Sequence, residues 1–60
     1  MKKYNLVVYD EKKKYAAIEL FRELNILYHV SGYGSGYYIG IETDLAPEWI
    51  GLELISKGVI

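Results

Sequence analysis

The sequence predicts a small α+β domain, one unit over residues 1–60, in which a three-stranded sheet carries two helices mainly on one face. Three observations carry this reading. Two runs of helical period, 11–24 and Pro47 to about Lys57, are interspersed with three short runs rich in β-branched and aromatic residues. A glycine-rich stretch, Gly32-Tyr33-Gly34-Ser35-Gly36, divides the last two strand-like runs as a hairpin turn does. Hydrophobic residues make up 52% of the sixty, enough to build a core, in a chain with no cysteine to staple it. The resulting order is β-α-β-β-α.

Tyr4-Asn5-Leu6-Val7-Val8-Tyr9 reads as the first strand, with Tyr4, Leu6 and Val8 on one face and Asn5, Val7 and Tyr9 on the other. Asp10 follows where an N-cap belongs, because its carboxylate accepts from the free N–H groups of the next turn. Glu11 suits the positive end of the helix dipole, whereas Lys12, Lys13 and Lys14 do not. Within 11–24, Ala17, Leu20, Phe21 and Leu24 form one stripe with Ile18 beside it. Lys12, Glu19, Arg22 and Glu23 fall opposite. Glu19 and Arg22 make a favourable i,i+3 pair. Asn25 ends the helix, since it tolerates a left-handed backbone.

Ile26 to Ser31 and Tyr37 to Glu42 read as the second and third strands. Opposing Ser31 to Gly36 leaves a four-residue loop, a common hairpin length. That register pairs Val30 with Tyr37, Tyr28 with Ile39, and Ile26 with Ile41 on one apolar face. Leu27, His29, Tyr38, Gly40 and Glu42 take the other face, where Tyr38 and Glu42 are the expected neighbours of His29.

The second helix opens with Pro47 at its first position, where a missing N–H costs nothing. Thr43, Asp44 and Ala46 are its candidate caps, and Gly58 is its stop. Trp49, Ile50, Leu52, Leu54 and Ile55 spread around most of its circumference, leaving only Glu48, Glu53, Ser56 and Lys57 polar. A helix of this kind is buried on more than one side. The sheet covers one side only, and Val59 and Ile60 add further apolar surface. Self-association about a two-fold axis, or contact with a different protein, is therefore expected around Trp49, Leu52 and Ile55.

If both helices cover the Tyr28/Val30/Ile39/Ile41 face, the opposite face shows Val7, Tyr9, Leu27, His29 and Tyr38. Such a tyrosine-rich, half-apolar composition marks interface cores. Tyr9, His29, Tyr33 and Tyr38 are the expected partner-binding residues.

No catalytic, cofactor or metal site is expected. His29 is the one histidine, and without a cysteine partner it makes a poor zinc site. A hydrolytic triad needs nucleophile, base and orienting acid held by a scaffold. Ser31 lies two residues from His29 on the same strand, and no third member is placed by an independent element. The Gly32-x-Gly34-x-Gly36 pattern is no phosphate loop, because a strand follows it and no Lys-Ser/Thr ends it.

Charge is divided unevenly. Residues 1–14 set five lysines against Asp10 and Glu11, and the rest sets Arg22 and Lys57 against six acids, for a net charge of -1. With a pI near 5.7 the chain lacks the strong basic stripe of a nucleic-acid binder. The third strand has no Lys or Arg beside its tyrosines, and there is no fourth strand, so an RNA-recognition sheet is not matched. No run approaches the ~18 uncharged apolar residues of a membrane span. The run after Lys2 and Lys3 is too short for a signal-peptide core. A cytoplasmic protein is expected.

These exclusions leave a small non-enzymatic protein-binding module, a homodimeric inhibitor or regulator of another protein. A phage-encoded inhibitor of a host defence enzyme is one concrete form for a free-standing domain of this size. Two other readings are nucleotide sequestration, with a base stacked on Tyr33 or Tyr38 and phosphates held by Lys12, Lys13 and Lys14, and weak RNA binding.

Overall fold

Residues Lys2–Val8 form strand β1, Glu11–Glu23 helix α1, Leu27–Tyr33 strand β2, Gly36–Thr43 strand β3 and Pro47–Ser56 helix α2, the expected β-α-β-β-α order. The structure is a computed structural model that describes residues 1–60, with every side chain except that of Tyr33. Its strands run antiparallel in the order β1-β3-β2, so β3 is central and β1 and β2 are the edges. β1 begins two residues before the expected Tyr4, because Lys2 and Lys3 pair with Thr43 and Glu42. Lys3 Nζ also lies 3.6 Å from Glu42 Oε1.

The β2–β3 hairpin corrects the expected register by two residues. Tyr33 opposes Gly36, Ser31 opposes Tyr38, Val30 opposes Ile39 and Tyr28 opposes Ile41. The connection is therefore Gly34-Ser35 rather than a four-residue loop. Gly34 has φ +57°, as a type II′ connection requires at its first central position. A shift of two residues preserves which side chains share a face. The expected core set thus survives while its cross-strand partners change.

Tyr4, Leu6, Val8, Tyr28, Val30, Tyr37, Ile39 and Ile41 face the helices. Among the described residues, ten buried ones form one cluster, including Ala17, Leu20 and Phe21 of α1, Ile39 and Ile41 of β3, and Ile50 and Leu54 of α2. The Phe21 ring meets that of Tyr28 at 6.3 Å between centroids, tilted by 37°. Arg22 donates from Nε to the Tyr28 hydroxyl at 3.1 Å. Arg22 thus serves β2 instead of the expected Glu19, and no Glu19–Arg22 ion pair forms among the described residues.

Local chemistry sets the helix ends. Asp10 Oδ1 accepts from the Lys12 N–H at 2.7 Å, the expected N-cap. Both helices stop in the same way, with a left-handed residue that lets two terminal carbonyls be satisfied. At Asn25, φ is 55°; its N–H donates to the Arg22 carbonyl at 3.2 Å and that of Ile26 to Phe21 at 2.8 Å. At Gly58, φ is 78°; its N–H donates to Ile55 at 3.0 Å and that of Val59 to Leu54 at 2.9 Å. The apolar residue after each turn folds back onto the core. Val59, expected to add exposed surface, is therefore buried, while Ile60 is exposed. At the start of α2 the cap is Ala46, with no side-chain hydrogen bond. Thr43 instead accepts from the Leu45 N–H at 3.2 Å. Among the described residues, no helix is long and apolar enough to cross a membrane.

Candidate interaction surfaces

Strand alternation places Lys3, Asn5 and Val7 of β1, Leu27, His29 and Ser31 of β2, and Tyr38, Gly40 and Glu42 of β3 on the face away from the core. His29 opposes Gly40, not Tyr38 as the expected register had it. A Cβ at Gly40 would stand 2.6 Å from Nε2 of His29. The imidazole therefore lies over the central strand, and Gly40 is buried beneath it. Tyr9 does the same at the other end of β3, where a Cβ at Gly36 would stand 2.7 Å from its Cδ1. Glycines under aromatic rings let the rings pack onto backbone that a side chain would otherwise hold away.

Tyr9 remains 67% exposed and Leu27 61%. Val7 and Tyr38 are half-buried. Tyr9, His29 and Tyr38, three of the four expected partner-binding residues, therefore share one face. The side chain of Tyr33 lies outside the described residues. Leu27 is the residue most exposed among the aliphatics of this face, yet sequence reasoning singled out only its aromatic neighbours.

A second apolar surface lies on α2. Ile50 and Leu54 turn to the core, whereas Trp49, Leu52 and Ile55 are 40%, 66% and 58% exposed. Beside them, a cleft of about 160 Å³ opens between Tyr4, Leu6 and Ile41 of the sheet and Pro47, Ile50 and Gly51 of α2. A Cβ placed on Gly51 would meet nothing within 4 Å. This glycine is not required by any packing inside the chain, although glycine in a helix interior costs about 1 kcal/mol relative to alanine.

The lysines of α1 sit on the other side of the sheet from Tyr38. Lys14 Nζ lies 4.2 Å from the centroid of the Tyr37 ring and 4.5 Å from that of Tyr15, a cation–π arrangement. Lys12 and Lys13 project into solvent. Tyr38 and the lysine run, one of the two pairings considered for nucleotide sequestration, are thus separated by the thickness of the sheet, and the other, through Tyr33, involves a side chain outside the described residues. The Lys14–Tyr37 contact had no signal in the sequence, because it depends on where the first turn of α1 meets β3. Among the described residues, no three of His, Asp and Glu converge.

In comparison with protein-family models, curated proteins and solved structures, nothing matches this chain.

Proposed function

We propose that this chain is a non-enzymatic protein-binding module, an inhibitor or regulator that docks its helix-free sheet face on another protein. The supporting observation is the composition of that face. No element of the chain covers it, yet it carries Tyr9, Leu27, His29 and Tyr38 over a central strand floored by Gly36 and Gly40. Tyrosine supplies large contact area with only two torsions to freeze, plus a hydroxyl for hydrogen bonding. The charges of the face, Lys3 and Glu42, lie at one end and neutralise each other at 3.6 Å. An uncharged centre with a polar margin is the anatomy of a protein interface. The partner that fits is a protein surface with an apolar patch rimmed by hydrogen-bonding groups.

The test is quantitative capture from the native host, followed by reconstitution with the captured protein. Leu27→Asp and Tyr9→Ala alter exposed side chains and leave the core intact, so the fold, read by circular dichroism, stays unchanged. Each is expected to weaken binding at least ten-fold, while Leu52→Lys on the opposite side leaves it intact. Undiminished binding by folded Leu27→Asp and Tyr9→Ala removes the sheet face as the site. Calorimetric titration with common and cyclic nucleotides is expected to give no heat; binding that Lys12 and Lys13 substitutions abolish favours sequestration instead.

A further inference from the structure

We infer that two copies of this chain pair along the free edge of β1, joining their sheets into six strands and bringing their α2 helices side by side across a two-fold axis. The pairing is independent of the sheet face assigned to another protein, which stays open in such a dimer.

The first observation is the edge itself. β1 is seven residues long, has no strand beyond it, and carries neither proline nor glycine. Its charges, Lys2 and Lys3, are confined to one end. Leu6-Val7-Val8 is uncharged, and strands that must avoid pairing usually carry a charge, proline or bulge at such a place. An antiparallel pairing centred on Asn5 opposes Tyr4 to Leu6, Lys3 to Val7 and Lys2 to Val8. The lysines of the two copies then stand at opposite ends, the core-facing Tyr4 and Leu6 meet each other, and Val8 meets the aliphatic stem of Lys2.

The second observation is what lies above that edge. Lys57, the C-cap of α2, reaches Glu23 of α1 at 3.6 Å, which shows the flank of α2 that faces α1. On a helical wheel Gly51 and Ile55 occupy the opposite flank, hence the side of the β1 edge, with Leu52 beside them at the crest away from the core and Trp49 on the α1 side. Ile50 and Leu54 share the apolar cleft with Tyr4 and Leu6 of β1 and Ile41 of β3, so α2 lies over the seam between these strands. Adjacent strands are ~4.8 Å apart. Two helices so placed, related by a two-fold through a β1–β1 contact, therefore have axes about 10 Å apart, within the ordinary range for packed helices. Gly51 then has a reason: it lies on the flank where a neighbouring helix approaches. The helices run antiparallel, so their dipoles attract.

The area is commensurate. From their exposed fractions, Leu52 and Ile55 together offer on the order of 230 Å² per copy, and the strand edge adds a comparable amount, which brings the contact close to the ~1,000 Å² total that a specific interface must clear. Glu48 is the one charge on the approaching flank, and a net charge of -1 per chain gives little repulsion.

Sedimentation equilibrium of the full chain at micromolar concentration reads the outcome. The expected mass is twice the 6.9 kDa of one chain. Gly51→Leu meets no atom of its own chain at Cβ, so it is expected to keep its circular dichroism while weakening association at least ten-fold; Leu52→Lys is expected to do the same. In a chain without cysteine, Asn5→Cys places two thiols about the two-fold at a Cα separation of ~4.5–5.5 Å, within disulfide reach. Oxidation should therefore give a covalent dimer. A wild-type mass of one chain overturns the inference and leaves the sheet-face reading standing. A dimer that survives Gly51→Leu, or in which Asn5→Cys does not cross-link, overturns it as well.

Discussion

His29 over Gly40 and Tyr9 over Gly36 look alike, but the neighbours a new Cβ would meet differ, and so do the expected consequences. At Gly40 the obstacle is the His29 ring, an exposed side chain that can turn away. Gly40→Ala should therefore cost only about 1 kcal/mol, and less once His29→Ala has removed the ring, a coupling that a double-mutant cycle detects. At Gly36 the obstacle includes the Val8 carbonyl oxygen at 2.6 Å. Paired backbone cannot swing aside, so Gly36→Ala should cost toward the upper end of the ~1–3 kcal/mol typical of overpacking. In a domain of this size each kcal/mol moves the thermal midpoint by roughly 4–8 °C. Melting curves followed by circular dichroism should order the variants wild type, Gly40→Ala, Gly36→Ala; equal losses at the two glycines would contradict this account. Neither role was legible beforehand. The alternation of residues put His29, Tyr38 and Gly40 on one face correctly, but which ring covers which glycine depends on register.

Register is the clearest case in which elements were legible and their alignment was not. Alternation alone equates any two registers that differ by two residues, because both keep Val30, Tyr28, Ile39 and Ile41 on the core side. The decision rests on Gly34, whose φ of +57° closes a two-residue turn. Helix α1 was readable to within a residue from Asp10, the Ala17-Leu20-Phe21 stripe and Asn25. What the pattern did not convey is that Asn25 and Gly58 end their helices in the same motif, each followed by a residue that returns to the core. Val59 thus changes from surplus surface to core. The shared motif makes opposite predictions at the two ends. Asn25 holds φ 55° with a side chain, so Asn25→Gly should relieve strain and raise stability by several tenths of a kcal/mol. Gly58→Ala at φ 78° should lose ~1 kcal/mol, the left-handed penalty of an L-residue less the entropy a glycine costs the unfolded state. Urea midpoints that move in opposite directions with an unchanged m-value are the expected result.

At the scale of the whole molecule the question is what holds sixty residues together without a disulfide. A chain this short buries only ~60% of the surface its unfolded form exposes. Among the described residues there are three ion pairs, Met1–Asp44, Lys3–Glu42 and Lys57–Glu23, each at 3.6 Å with every side chain at least 41% exposed. Exposed pairs contribute about 0–1 kcal/mol and are screened by salt, so they do not decide the balance. The core does, and Phe21→Ala, which empties its fully enclosed centre, should cost ~3–5 kcal/mol and leave little folded protein in thermal melts. Against so thin a margin, the Leu52, Ile55 and Trp49 surface matters thermodynamically as well as functionally. If copies associate through β1 and α2, folding and association are coupled by mass action, and stability must depend on protein concentration. The thermal midpoint of the wild-type chain should then rise with concentration and change little with added salt, because the contact is made of neutral backbone hydrogen bonds and an apolar helix flank rather than of ion pairs. The Gly51→Leu midpoint should not vary with concentration, whatever its absolute value, since a more helix-favouring residue can stabilise the lone chain while blocking the approach of the second. A wild-type midpoint independent of concentration would mean that the core, its two helix-end turns and the hairpin suffice for a single copy, and that the exposed flank of α2 plays no part in stability.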